Sequence, residues 1–369
     1  MCFGFVLLSK NSILTGVVKL ALGDQHSVVL KQDGSVWSTT FFLRGMIIPS
    51  TGVRDRFVQL IPRDATAVAA GNGFSIVLKK DCSVWATGQN IRGQLGDGTN
   101  YKRNTFFFVQ VIPGAKAVSA GGYHSMVLTE EGFVWITGWN KYGQLGASVT
   151  SYTSRFFVVV SGGAKAVAAG DIHSIVLKQD GSVWATGWNE YGQLGIGSKT
   201  DRSSFVKVMS SGAADVAAGG YHTMVLKQDG SVWVTGWNEY GQLGDGSITD
   251  RTNYVQVVLS GATSVAAGSR HSLILKQDDS VWVAGYNEYG QLGAGAISNS
   301  KVFVRVLADG VKVIAAGACH SIVVKQDGSI WGTGSNIDGQ FGDGSSISKS
   351  YFSRLAPIEI LGNGTLRDH

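Results

Sequence analysis

A 49-residue period governs this 369-residue chain. His124, His173, His222, His271 and His320 follow one another at intervals of 49, each in a Gly-x-x-His-Ser/Thr context. His26 stands two periods before His124, and Phe74 fills the place between them. A tryptophan lies eleven residues beyond each of these seven positions: Trp37, Trp85, Trp135, Trp184, Trp233, Trp282 and Trp331. Seven copies in phase exclude an ordinary single-core fold, because a unit this small buries its apolar surface only against its neighbours.

Each unit reads as a short antiparallel sheet. In the fifth, Phe205–Val208, Asp215–Ala218, His222–Leu226 and Ser231–Thr235 are apolar or alternating runs, and Asp229-Gly230 is a hairpin signal. Four strands in 49 residues make a propeller blade. Composition agrees: 51 glycines and 4 prolines fit repeated tight turns, whereas glycine inside helices would cost about 1 kcal/mol each. The expected fold is all-β, a seven-bladed β-propeller of four-stranded antiparallel blades. Runs resembling Phe205–Val208 recur from Phe57–Leu60 to Tyr351–Leu355, and the last lies beyond the seventh His-Trp pair. This predicts that the C-terminal strand Tyr351–Leu355 returns to complete the first blade, with Phe5–Leu8 as a competing edge. The propeller is assigned to residues 18–355, between an N-terminal segment 1–17 and a tail 356–369.

Ala217–His222, Lys227–Trp233 and the stretch Gly-Trp-Asn-Glu-Tyr-Gly-Gln-Leu-Gly from Gly236 resemble the regulator of chromosome condensation repeat family. The resemblance spans roughly Val18 to Leu355 and implies a seven-bladed propeller. It leaves function open, because one fold hosts many sites. Exchange factors for Ran-type GTPases resemble the chain in fold but typically carry a basic N-terminal tail and an interblade insertion, neither visible here. Plant ultraviolet-B photoreceptors, also similar, place Trp two residues before the histidine. Here those places are Asp24, Asn72, Gly122, Asp171, Gly220, Ser269 and Ala318, and only Arg270 matches the Arg that precedes it. Propellers that inhibit β-lactamases are secreted, and no signal peptide is recognisable. The family commonly has Pro near the basic position described below, where this chain has Phe or Tyr.

The six histidines, His26, His124, His173, His222, His271 and His320, read as structural. A metal needs three or four ligands converging at about 2 Å, and one histidine per blade keeps them apart. The strand tryptophans read as core. Ser or Thr follows each histidine on the same strand, so the two side chains point to opposite faces and form no couple within a unit. Asn90, Asn140, Asn189, Asn238, Asn287 and Asn336 fit a repeated turn closed by side-chain amides. A phosphate loop at Gly192 is rejected, since Ser198 stands where such a loop needs Lys. No catalytic constellation, metal or cofactor is expected.

The positions that vary within this frame point to binding. Trp139, Trp188, Trp237 and Tyr286 form an aromatic run in four adjacent units where the flanking units carry Gln89 and Ser335. Two residues later come Glu190, Glu239 and Glu288, with Lys141 in the third unit. Aromatic anchors flanked by acids make this rim the candidate partner surface; the alternative is that the rings pack across the loop of the next blade. Arg103, Arg202, Arg251 and Lys349 share a second repeated position, and Asp201 and Asp250 beside them point to local ion pairing. Net charge is only +5, no basic tail is present, and nucleic-acid binding is unfavoured.

Cys2, Cys82 and Cys319 are too scattered for a disulfide framework. No run is long enough to span a membrane. The expectation is a soluble, monomeric, non-enzymatic scaffold for a protein partner, cytoplasmic with the nucleus as the alternative. The competing function is guanine-nucleotide exchange on a Ran-like small GTPase. The first unit lacks the turn motif after Trp37, which reads as decay or a gene-model error.

Overall fold

The structure is a computed structural model describing residues 16–39, 55–148, 151–356 and 359–360, among which every regular element is a strand. Seven antiparallel four-stranded sheets follow one another along the chain. Blade 5 contains Ala213–Ala218, His222–Lys227, Val232–Gly236 and Arg251–Val258, paired in that order from the central channel outwards.

This phase differs by one strand from the sequence-derived unit. Phe205–Val208 lies in Arg202–Met209, the outer strand of blade 4. The chain then crosses to blade 5 through a short link, where the Ala213 amide donates to the Gly181 carbonyl of the blade 4 turn. The longer loop after Gly236 folds back instead, so that Gly236 pairs with Arg251 in its own sheet.

Closure differs accordingly. Blade 1 owns four strands: Val17–Leu22, Ser27–Lys31, Val36–Thr39 and Phe57–Ile61. The expected returning segment lies in Lys349–Arg354, which pairs with Ile330–Gly334 in blade 7. What the C-terminal part adds to blade 1 is a fifth, parallel strand, Glu359–Ile360, against Phe57 and Val58. Phe5–Leu8 and residues 40–48 of the first unit lie outside the described residues. Blades 7 and 1 meet through contacts of the kind that join most other pairs: the Ala318 amide donates to Gly23 O at 3.3 Å, and His320 Nε2 lies 3.2 Å from Ser27 Oγ.

The core lies between the blades. Ile175, Leu177, Val183, Ala185 and Leu194 of blade 4 pack on Ala213, Val216 and Val225 of blade 5, all buried. The structural histidines staple these seams. Each is fully buried, and Nε2 reaches the Ser or Thr hydroxyl of the following blade: His26 to Ser75, His124 to Ser174, His173 to Thr223, His222 to Ser272 and His271 to Ser321, at 2.8–3.0 Å. In all of these but Ser75 the hydroxyl in turn donates to a glutamine carbonyl, as Ser174 does to Gln144 O at 2.7 Å. With its proton committed, the hydroxyl accepts from Nε2–H, which fixes the tautomer. The His–Ser couple excluded within a unit therefore forms between units. Phe74, equally buried, leaves the seam between blades 2 and 3 without it.

The strand tryptophans are core only at Trp37; the other six are half-buried at the seams. Except at Trp135, which follows Phe133, their indole N–H donates to the serine two residues earlier, as in Trp233 to Ser231 at 3.1 Å. A lysine caps the ring in the same five, with Lys227 Nζ 4.3 Å from the Trp233 centroid.

Candidate functional site: the aromatic arc at the channel mouth

Two kinds of loop gather on the histidine end of the ring. The inner hairpins Gly219-Gly220-Tyr221 and their equivalents surround the channel mouth. Outside them lie the asparagine turns, tied on by backbone bonds: Trp188 N donates to Ile172 O at 3.0 Å, Trp237 N to Tyr221 O at 2.9 Å, and Tyr286 N to Arg270 O at 2.9 Å. Glycine is needed in these hairpins. A Cβ on Gly317 would lie 2.7 Å from His320 Nδ1 and 2.8 Å from Gly23 O across the closing seam. The turn itself is built on asparagine. Asn238 Oδ1 accepts from Leu243 N at 3.0 Å, while Nδ2 donates to Asp245, Ser247 and Thr249.

This frame assembles a continuous belt of aromatic rings across blades 3 to 6. Within a blade, the expected ring packs on the tyrosine three residues later: Trp139 on Tyr142, Trp188 on Tyr191 and Trp237 on Tyr240, at centroid separations of 5.2–5.4 Å. Across seams Tyr142 meets Trp188 at 5.9 Å, Tyr191 stacks on Trp237 at 5.4 Å, and Tyr240 meets Tyr286 at 4.8 Å. The four expected residues thus occupy one face, and they also pack across the loops of neighbouring blades. Trp139 and Trp188 are half-buried, whereas Trp237 and Tyr286 keep only 8% and 7% of their surface.

Charged groups decorate the belt. Glu190, Glu239 and Glu288 are exposed beside it, and Glu288 also accepts the Tyr286 hydroxyl at 2.5 Å. Burial and this acceptor both push the Tyr286 hydroxyl up. Arg270, on the inner hairpin of blade 6, lies 5.5–5.6 Å from the centroids of Trp237, Tyr240 and Tyr286. At the channel mouth, burial and then Asp24 push the Asp171 carboxyl up to about 6, against the pull of Arg270. Asp24 is also raised, by burial and then by Asp338. Burial, with a smaller effect from Asp171, pushes the Tyr221 hydroxyl up to about 12. The channel mouth encloses a cavity of about 110 Å³ lined by Asp24, Asn72, Asp171 and Ser269 among glycines and alanines.

The basic residues lie on the same face but at the outer strand. Arg103 pairs with Asp97 at 2.6 Å, Arg251 with Asp245 at 2.6 Å and Lys349 with Asp343 at 2.8 Å. Their carboxylates come from six residues earlier, not from the adjoining aspartates. Asp201 and Asp250 instead accept the amides of Asn189 and Asn238. Blade 4 has Ile196 at the carboxylate position, and Arg202 makes no ion pair among the described residues.

Sequence reasoning missed Tyr142, Tyr191, Tyr240 and Tyr289, although a signal was there. These tyrosines occupy the same four units as the Trp/Tyr run, and the flanking units carry Arg92 and Asp338 at that place. Tyr123, Tyr221 and Arg270 left no periodic signal, because each inner hairpin varies independently.

Seven four-stranded blades around a channel, with an aromatic belt on one face, define a β-propeller. Residues 6–258 match the RCC1-like domain, and residues 262–291 and 311–340 match the regulator of chromosome condensation (RCC1) repeat; the chain belongs to this family. Among solved structures, human WBSCR16 is similar at 26% identity and a TM-score of 0.74, over 82% of this chain and 85% of that one. Yeast RCC1 (Prp20) bound to Kap60 is similar at 22% identity and a TM-score of 0.69, over 78% and 74% of the two chains. Prp20p from Saccharomyces cerevisiae, studied for its binding to Gsp1p and histones, is similar at 20% identity and a TM-score of 0.69, over 78% and 76%. A search of curated protein sequences gave no significant match.

Proposed function

We propose that the chain is a non-enzymatic interaction scaffold that binds a protein partner through the loop face. The aromatic belt across blades 3 to 6 carries this reading. Half-buried Trp and Tyr rings on a rigid frame lose little side-chain freedom on binding and supply large contact areas. Three exposed carboxylates beside the belt, Glu190, Glu239 and Glu288, give the surface a charge preference. Trp237 and Tyr286 support the belt from beneath, and Trp139 and Trp188 present the accessible rings. Affinity capture, followed by binding measured with the purified partner, tests it. Trp139→Ser with Trp188→Ser, in protein that keeps its native circular dichroism, is expected to weaken binding at least ~10-fold. Unchanged affinity would refute the proposal.

The second reading is nucleotide exchange on a Ran-like small GTPase. It is supported by family membership and by the fold shared with Prp20p, which binds Gsp1p. Release of a fluorescent guanine nucleotide from a Ran-like GTPase should then accelerate in the presence of this chain. An unaltered release rate counts against it.

A further inference from the structure

The surface around the belt has a charge sign opposite to that of the molecule. The chain carries +5 overall, yet the described inner hairpins, together with the two residues that follow each turn asparagine, hold six carboxylates against three cations. The carboxylates are Asp24, Asp171, Glu190, Glu239, Glu288 and Asp338; the cations are Arg92, Lys141 and Arg270.

The cations are not spread evenly over the belt. Arg92 lies 5.2 Å from the Trp139 centroid, and Lys141 lies 5.2 Å from that of Tyr142. Arg270 serves Trp237, Tyr240 and Tyr286. Between them lies a cluster on blades 4 and 5 on which no cation packs among the described residues. Trp188, Tyr191 and Tyr221 are mutually in contact, at centroid separations of 5.2, 5.4 and 5.9 Å. All three are half-buried, in contrast to the two rings buried beside Arg270.

The Asp171 carboxylate lies beside this cluster. Its Oδ2 is 3.1 Å from where a Cβ on Gly220 would sit, one residue before Tyr221. It lines the channel cavity and has no hydrogen bond or ion pair among the described residues. Asp171 is half-buried, and Arg270 acts on it only through space, without an ion pair among the described residues, so a cation delivered from outside meets an open carboxylate. Aromatic faces add to the attraction, more strongly where water is excluded. Arg270 shows that the belt holds a guanidinium within cation–π range of three of its rings.

We propose that the partner presents a basic side chain, from an extended arginine- or lysine-containing segment, that seats on Trp188, Tyr191 and Tyr221 with its charge at Asp171 and Glu190. The inference rests on the loop-face reading above and specifies its partner chemistry.

The probe is a fluorescein-labelled Gly-Ser-Arg-Gly-Ser-Arg-Gly peptide, measured by fluorescence polarisation at low salt against the same peptide with citrulline in place of arginine. Citrulline keeps the shape and removes the charge. The arginine peptide is expected to bind at least ~10-fold tighter than the citrulline peptide, and Asp171→Asn and Trp188→Ser should each remove most of that difference. Glu130→Gln, at the opposite end of the blade, should leave it intact. Equal binding of the two peptides, or an Asp171→Asn variant that folds and discriminates as well as the parent, overturns the inference. The broader reading is judged separately. A purified partner that is lost with Trp139→Ser/Trp188→Ser but retained with Asp171→Asn keeps the loop face and sinks the basic-segment assignment.

Discussion

The buried imidazoles set the pH response of this fold. His26, His124, His173, His271 and His320 are pushed down by burial to about 3, and His222 to about 4, against about 6.5 in an unfolded chain. Between those limits the unfolded chain binds more protons. The associated stability is therefore complete above about pH 6.5 and is lost as pH falls towards 3. Each histidine contributes a slope of about 1.4 kcal/mol per pH unit inside that window. Asp24, Asp171 and Asp215, whose carboxyls are raised chiefly by burial, act in the opposite direction. Three groups do not offset six, and carboxyls whose burial is outweighed by hydrogen bonds that hold them low, such as Asp97 and Asp245, act with the histidines. Urea midpoints should fall steadily from pH 7 to pH 4, and a flat profile would contradict the neutral buried rings.

The seam partners allow a sharper test. Thr223 donates to Gln193 O at 2.7 Å and accepts from His173 at 3.0 Å. Thr223→Val leaves two buried groups unpaired and should cost about 2–4 kcal/mol. His173→Phe keeps the Thr223–Gln193 bond and copies blade 2, so it should cost less, about 1–2 kcal/mol. Urea denaturation reads both, and the ordering is the prediction. The structural role of the histidines was legible from Phe74 standing in for one of them. The Ser partners were not, because each lies a whole blade away.

At the scale of the loop, asparagine does the organising. Asn238→Ala removes the acceptor for Leu243 N and the donor to three neighbours, and should cost about 2–4 kcal/mol in thermal or urea unfolding. The basic ring divides by whether blade residue six places earlier is acidic. Arg251, 37% exposed, holds Asp245, whose side chain is only 7% exposed. Removing Arg251 strands that carboxylate. Arg251→Ala should therefore destabilise by at least about 1 kcal/mol more than Arg202→Ala, whose blade has Ile196 instead. Equal effects would show that the pair contributes nothing. The turn motif announced itself in six units by its repetition. Which aspartate pairs with which cation was hidden, since the loop folds Asp245 back onto Arg251 and presents Asp250 to the Asn238 amide.

For the whole molecule, closure decides what the C-terminal segment is worth. Because Lys349–Arg354 completes blade 7 and the ring joins through Ala318–Gly23 and His320–Ser27, the seven blades are complete at Leu355. Among the described residues, a chain ending at Ala356 loses only the two-residue parallel strand on blade 1, and it should unfold in one cooperative transition, with Tm lowered by no more than a few degrees. Loss of cooperativity would mean that Glu359–Ile360 fastens the ring.

The number of blades, the buried histidines and the glycine-rich turns were determined by sequence alone. The histidine and the asparagine turn each recur in six of the seven units because most units meet the same kind of neighbour in the same way. Tertiary structure decided the rest. Strand phase follows from where the chain crosses between sheets, and a repeat has no intrinsic first strand. Closing seven blades into a ring brings all the inner hairpins to one channel mouth. There Asp171, Tyr221 and Arg270, whose residue types do not recur from unit to unit, become neighbours beside the row of repeated aromatic residues.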